Sequence, residues 1–191
     1  MEDINKIYIN ETYNYALEVV IKQDEALTES VLTKLGVNKA DLIDPSKVKQ
    51  AISKINSIDD EYERKTAVIT VAGTILSGIV GLTGLVITAT PQGQIVTALL
   101  SVFVSIATEG ARYAFGVSDY RKLLGYINRD IKRIEKKKAK LKEKPDYDKS
   151  AYKELEDLEG KLEDSKDVII KEMRKANRKV ADTKNADYFH A

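Results

Sequence analysis

The chain contains no cysteine and no tryptophan, and its single histidine, His190, lies beside the C-terminus. Without cysteine there is no disulfide framework and no thiolate chemistry. A lone histidine excludes histidine-based metal sites and Ser-His-Asp or Cys-His catalysis. Glycine-rich phosphate loops are absent, and the many carboxylates fall on helical faces that water would cover. The sequence therefore predicts a non-enzymatic protein with no metal, cofactor or small-molecule substrate.

Net charge also restricts the partners. Lysine and arginine total 31 and aspartate and glutamate total 30, so there is no overall attraction to nucleic acid and none is expected as a partner. The N-terminal segment carries charges of both signs and no continuous apolar region. We therefore expect no N-terminal secretory signal.

Charge is missing altogether from residues 66 to 108, in a chain that is 32% charged. Apolar stretches of about 18 residues or more are the usual sign of a membrane-spanning helix. The run is interrupted at residues 90–94, where Pro91 and Gly93 predict a turn. These features predict an apolar helical hairpin over residues 66–116.

The first arm of this hairpin carries small residues at steps of three and four. They are Thr66, Thr70, Gly73, Ser77, Gly81, Gly84 and Thr88. A mean step of about 3.67 residues places them on one face of a helix, and small residues there allow two helix backbones to approach closely.

The second arm has a more polar stripe, made of Thr97, Ser101, Ser105, Thr108 and Arg112. Two arrangements are open: the stripes pack against each other and close the hairpin, or the second stripe lines a water-filled lumen in an oligomer. This arm is short, so spanning a bilayer would bring Glu109 and Arg112 to the membrane boundary. Those two residues can pair at i, i+3, or they simply mark where the apolar region ends.

Helical periodicity continues in both flanks. We expect helices over 5–35, ending at Gly36, and from Asp44-Pro45 unbroken to residue 90. Two more are expected over 94–143 and 149–184, with a flexible tail at 185–191. The predicted units are therefore residues 1–65, 66–116, 117–184 and 185–191.

Two seams of apolar residues predict an antiparallel coiled coil in the C-terminal half. The first seam is Tyr120, Leu124, Ile127, Ile131, Ile134 and Leu141, with Lys138 in one core slot; the second is Tyr152, Leu155, Leu162, Ile169, Met173, Ala176 and Val180, with Lys166 as its polar exception. The expected fold is all-α: an elongated bundle with a coiled-coil shaft and the apolar hairpin at one tip.

A basic run at residues 129–144 lies beside an acidic segment at 147–167. Anionic lipid headgroups or nucleic acid could attract the basic run. The commoner explanation is that the two segments pair with each other across the helical hairpin.

In layout, long amphipathic helices on both sides of an apolar hairpin at 66–108, the chain resembles α-helical pore-forming toxins of the cytolysin A and haemolysin BL type. The resemblance implies a hydrophobic tongue that is hidden in a soluble form and inserts into a membrane on oligomerisation. The same layout would suit a phage protein that is stored in a virion and ejected, or a holin-like lysis protein.

Two functions are therefore expected. In the first, the protein changes from a soluble or stored form to a membrane-associated one, or is integral through the 66–116 hairpin. Its partners are then a lipid membrane and other copies of itself, with which it forms or lines a pore. In the second, it is a structural coiled-coil component, for example of a phage virion or ejection apparatus, whose apolar hairpins pack inside a homo-oligomer.

Overall fold

The computed structural model of the chain describes residues 25–82, 90–143 and 146–189, and every regular element in these ranges is helical. The predicted all-α class is confirmed. The elements are α1 (25–34), a 3-10 turn η1 (Asp41–Ile43), α2 (Pro45–Asn56), α3 (Glu61–Leu82), α4 (Thr90–Thr108), a second 3-10 turn η2 (Gly110–Tyr113), α5 (Val117–Lys142) and α6 (Lys149–Phe189).

Several helix ends lie where local sequence signals predicted them. Gly36 adopts a φ of 63° just after α1, a left-handed conformation that glycine tolerates without strain. Asp44 caps α2 by accepting a hydrogen bond from the backbone N–H of Ser46 at 2.8 Å, and Pro45 occupies the first helical position. Asp148 caps α6 in the same way. At its other end α6 continues to Phe189, through most of the segment predicted as a tail.

The single helix predicted from Pro45 to residue 90 is wrong, because the chain turns between α2 and α3. The Ser57 hydroxyl donates to the Lys54 carbonyl at 2.7 Å and closes α2. The Asp60 carboxylate accepts from the backbone N–H of Glu63 at 2.6 Å and starts α3. Side chains that compete with the helical hydrogen bonds therefore end one helix and begin the next without proline or glycine.

The continuous helix predicted over 94–143 is also wrong: residues 109–116 form a compact corner between α4 and α5. Ala114 takes a left-handed φ of 51° there, which costs a residue with a Cβ about 1 kcal/mol. The carboxylate of Asp119 accepts a hydrogen bond from the backbone N–H of Gly116 at 2.9 Å. This N–H, at the start of α5, has no partner within the helix, so the carboxylate supplies its acceptor.

The predicted turn at 90–94 is corrected as well. Residues 90–94 form the first turn of α4, so Pro91 and Gly93 lie in the helix. Proline is compatible with a first helical turn, since the N–H that it lacks has no partner within the helix. Residues 83–89, including Gly84 and Thr88 of the first stripe, lie outside the described residues.

Helix α3 lies at the centre of the bundle, in contact with α4, with α5 and with η1 and α2; α6 covers α4 and α5. The Lys137 ammonium, near the end of α5, donates to the Val80 carbonyl, near the end of α3, at 2.7 Å. The start of α5 likewise meets the start of α3. The two apolar arms thus lie alongside α5 and α6, so the expected position at a tip beyond the shaft is not confirmed.

Seven of the predicted seam residues are buried, namely Tyr120, Ile127, Ile131, Ile134, Leu155, Leu162 and Ile169, while the coiled-coil arrangement itself stays a prediction. Leu123 and Leu158 are also buried and were missed. Helix α5 contacts both α3 and α6, so its buried face is broader than a two-residue heptad seam. Lys138, in its core slot, pairs with Glu159 of α6.

Glycine positions offer a test of this packing. A Cβ on Gly110 would overlap the Tyr120 hydroxyl and come within 2.8 Å of Phe115 Cδ2, whereas a Cβ on Gly125 would meet nothing within 4 Å. We expect Gly110→Ala to lower the free energy of unfolding by about 1–3 kcal/mol. Gly125→Ala should raise it by roughly 0.5–1 kcal/mol, because helical glycine is costly. Urea denaturation of both variants measures the difference, and equal stabilities would contradict the described corner.

Candidate functional site

The strongest candidate site is the pair of apolar helices α3 and α4. Among the described residues, α3 is the one helix long and apolar enough to cross a membrane: it has 22 residues and a mean hydropathy of 1.6 in its most apolar window. Helix α4 supplies only the shorter apolar stretch Gln94–Thr108. The inequality of the two arms stays a prediction, since α4 as a whole runs over 19 uncharged residues, Thr90–Thr108.

Within the bundle, α3 is buried on several sides rather than along one stripe. Its buried residues are Ala67, Val68, Ile69, Thr70, Val71, Ala72, Gly73, Ile75, Leu76, Ile79 and Val80. About half of its most apolar window, 56%, is buried. A helix that is apolar all round must be covered either by protein or by lipid, and here the chain's own helices supply most of the cover.

Small residues of the first stripe let α5 approach α3. Thr70 and Gly73 are buried, Thr66 and Ser77 are half-buried, and Gly81 is exposed. A Cβ on Gly73 would lie 2.7 Å from the Tyr126 ring of α5, so this glycine makes room for that ring. Gly81, one step from the end of α3, has open space around it and leaves a smooth, uncharged surface.

The second stripe faces solvent instead of the core. Thr97, Ser101, Ser105, Thr108 and Arg112 are all exposed, and the first four line a shallow groove against Lys161, Asp164 and Ser165 of α6. The arrangement in which the two stripes pack against each other is therefore wrong for this state. The stripe is a row of hydroxyl groups on the outer face of α4, and the lumen-lining alternative stays a prediction.

Glu109 and Arg112 form the pair that their spacing predicted, with 3.5 Å between Arg112 Nη1 and Glu109 Oε2. Their side chains are 47% and 59% exposed, so the pair is hydrated and contributes little to stability. Ser105 donates to the other carboxylate oxygen of Glu109 at 3.0 Å, which joins the pair to the end of the hydroxyl stripe.

Sequence reasoning missed an ion pair at the base of the first arm. Lys65, the last charge before the uncharged run, lies 3.5 Å from the Asp119 carboxylate, and the two side chains are 24% and 7% exposed. Asp119 therefore caps α5 and ties the start of α3 to it. The spacing from Gly116 to Asp119 is a helix-start signal, but nothing local indicated which cation Asp119 would meet.

The two chain breaks, at 57–60 and 109–116, are neighbours in space. The Tyr113 hydroxyl lies 3.4 Å from the Asn56 side-chain oxygen, which joins the end of α2 to the corner before α5. The rings of Tyr113, Phe115 and Tyr120 pack together around Gly110, with successive ring centroids 5.8 and 5.6 Å apart. Both arms of the hairpin are thus anchored at the same end of the bundle.

Asp130 is a buried charge on α5. Its side chain is fully buried; one carboxylate oxygen accepts from Arg133 at 3.0 Å and the other has no hydrogen-bond partner. Burial raises the pKa of this carboxyl above its usual value, although Arg129 and Arg133 act in the opposite direction. The neutral carboxyl therefore fits this site better than the carboxylate.

A pH dependence of stability follows from Asp130. Because the pKa of Asp130 is raised in the folded state, protonation of this carboxyl adds to the free energy of unfolding. This contribution is complete below the pKa of the unfolded chain and is lost as the pH rises through the pKa of the folded state. At neutral pH the carboxylate should destabilise the bundle. We expect Asp130→Asn, which keeps the shape without the charge, to raise the melting temperature at neutral pH but not in acid. A stability difference that does not change with pH would contradict this.

No group of three or more histidine, cysteine, aspartate or glutamate side chains within the described ranges is placed to hold a metal ion. Comparison with protein-family models, with curated proteins and with solved structures finds no match for this chain. The geometry of α3 and α4 is therefore the basis on which a function can be inferred.

Proposed function

We propose that this protein is a non-enzymatic helical protein that inserts its apolar hairpin, residues 66–116, into a lipid membrane and oligomerises to form or line a pore. The observation that carries the proposal is α3. It has 22 residues and is about 33 Å long at 1.5 Å per residue; its four charged residues lie within Glu61–Lys65, and the 17 residues from Thr66 to Leu82 carry no charge. By length and composition it could cross the hydrocarbon core of a bilayer.

In this proposal the described bundle is the closed form, in which α5, α4 and α2 cover α3. Opening requires α3 and α4 to leave α5 and α6. The paired breaks at 57–60 and 109–116 supply the hinge, since both lie at the base of the hairpin and meet through Asn56 and Tyr113. Straightening both breaks would give the extended rod with an apolar tip that the helical periodicity favours.

Oligomerisation follows from the inequality of the arms. The apolar stretch Gln94–Thr108 is about 22 Å long as a helix, shorter than the roughly 30 Å of a bilayer core. Its Ser/Thr face is also the more polar face of the hairpin, which suits a water-filled lumen better than lipid. A ring of subunits resolves both points: the hydroxyl stripes face a water-filled lumen, and Glu109 and Arg112 lie at its mouth.

A reversible lock between α3 and α5 tests the proposal. The chain has no cysteine, so Leu82→Cys and Lys137→Cys provide two unique thiols, near each other because Lys137 contacts the Val80 carbonyl, two residues before Leu82. A bis-maleimide with a cleavable disulfide in its spacer would join them. We expect the locked protein to release no dye from phosphatidylcholine–phosphatidylglycerol vesicles, and reduction of the spacer to restore release.

The matched control is the same double-cysteine protein labelled on each thiol with a monofunctional maleimide. It carries the same substitutions without a bridge, so it should release dye like the reduced protein. Equal release by the locked and control proteins would show that α3 need not leave α5. No release under any condition, with no flotation of the protein with vesicles, would overturn membrane insertion itself.

The second candidate function is a structural one, in which the hairpin stays inside a homo-oligomer that never meets lipid. Its specific support is that 56% of the apolar window of α3 is already buried by the chain's own helices. A pair of variants separates the candidates, because Gly81 and Gly160 are both exposed with open space around them.

We expect Gly81→Leu to abolish dye release, because the bulky side chain blocks close packing at the end of α3 in the pore. Gly160→Leu, on α6, should keep dye release. Sedimentation of both variants with and without vesicles reports assembly. If Gly81→Leu changes only the mass of a vesicle-free oligomer, and the unsubstituted protein releases no dye, the structural function is the correct one.

A further inference from the structure

Helix α5 presents a basic stripe to solvent. The stripe consists of Lys122, Arg129, Lys132, Arg133, Lys136 and Lys140, all of them exposed. Their spacing places them along one face over about 27 Å of helix. The acidic residues exposed on α5 are Glu135, which is on a neighbouring face, and Glu143, at the end of the helix. The face is therefore a nearly continuous band of positive charge.

Pairing within the chain does not account for this band. Lys138, on the opposite side of α5, pairs with Glu159 of α6, as the neighbouring charges of the two segments predicted. Within the basic stripe, Arg129 and Arg133 face the single carboxylate of Asp130 at 3.9 and 3.0 Å. Lys132, Lys136 and Lys140 have no ion-pair partner among the described residues. The stripe thus keeps an excess of cations that points into solvent.

The basic stripe borders the apolar helix. A groove between α3 and α5 is lined on one side by Lys122, Gly125 and Arg129 and on the other by Thr66, Ile69 and Thr70. The same groove contains Leu27 and Tyr62, which are 51% and 75% exposed although both are large apolar side chains. Cations and exposed apolar groups therefore share one face of the bundle.

We propose that this face is the docking surface for an anionic lipid membrane, on which the closed bundle lies before the hairpin inserts. Anionic headgroups would neutralise the basic stripe. The ring of Tyr62 and the side chain of Leu27 would enter the interfacial layer, where tyrosine is commonly found. A nucleic acid would satisfy the cations but would not give the apolar groups an apolar environment.

This inference rests on the proposed membrane function and adds to it the class of lipid that is recognised. Side-on docking would place α3, the helix that must enter the bilayer, directly beside the membrane surface. The two explanations offered for the basic run at residues 129–144 then apply to different faces of α5. Lys138 pairs with α6, and the outward lysines bind the membrane.

Flotation with two kinds of vesicle tests the docking surface. One kind is phosphatidylcholine alone, and the other is equal parts of phosphatidylcholine and phosphatidylglycerol. We expect the full chain to bind the anionic vesicles far more tightly, and the binding to weaken with salt. Changing Lys132, Lys136 and Lys140 to Gln should lower the partition coefficient by roughly 100-fold, at about fivefold per lysine.

The matched control changes Lys49, Lys153 and Lys171 to Gln, three exposed lysines outside the basic stripe. It alters the net charge equally and should retain most of the binding. Circular dichroism melts of both triple variants establish that each still folds. If the two variants lose binding equally, net charge is responsible and the docking surface is wrong.

The remaining outcomes separate this inference from the function on which it rests. Equal binding and dye release with both kinds of vesicle would overturn the docking surface and leave membrane insertion standing. Tighter binding to double-stranded DNA at the same salt, with DNA displacing the vesicles, would identify the basic stripe as a nucleic-acid surface. Binding to neither kind of vesicle would overturn both proposals.

Discussion

The whole structure depends on the need to cover α3, a helix that carries no charge from residue 66 to its described end at Leu82. Each large aliphatic side chain that it buries contributes about 1.5–3 kcal/mol, so leaving this helix in water would cost more than the net stability of a small domain. In the bundle, α4 and α5 pack against the sides of α3, and η1 and α2 pack across it. Lipid would meet the same need, which is why the helix that holds the bundle together is also the one suited to a membrane.

Polar contacts concentrate at the base of the hairpin, where α3 begins and α4 ends. The buried pair of Lys65 and Asp119 and the contact between Tyr113 and Asn56 fix the two chain breaks relative to each other. Further along, apart from the hydrogen bond from Lys137 to the Val80 carbonyl, the contacts around α3 are largely apolar and non-directional, such as Gly73 against the Tyr126 ring. Apolar contacts of this kind are gained again in lipid, whereas polar contacts are specific to one arrangement. The base is therefore suited to act as a hinge and the far end as the part that moves.

Local signals predicted much of the secondary structure, because caps act within a few residues. Asp44-Pro45 and Gly36 are examples whose geometry needs no distant partner. The breaks at 57–60 and 109–116 were missed because the apolar periodicity of a helix continues through both of them. At each break, hydrogen bonds to the side chain of Asp60 or Asp119 compete with the hydrogen bonds of a continuous helix. They prevail because the chain turns back there to cover α3. Pro91 illustrates the reverse case, since proline fits a first helical turn as well as a loop.

The site was less predictable than the secondary structure. The spacing predicted a helix face for each small-residue stripe, but which residues meet α5 and which meet water depends on the tertiary packing. The partner of Lys65, the burial of Asp130 and the unpaired state of the outward lysines on α5 are properties of three-dimensional neighbours. Periodicity places residues on a helix face, and it does not identify what that face contacts.

The central claim, that α3 leaves α5 when the protein meets a membrane, is tested most directly by a distance between them. Nitroxide labels on Leu82→Cys, at the half-buried end of α3, and on Asn128→Cys, at an exposed position of α5, would let pulsed electron paramagnetic resonance report their separation. The account predicts one narrow distance in solution and a longer, distinct distance once anionic vesicles are bound. An unchanged distance distribution in vesicle-bound protein that releases dye would contradict it.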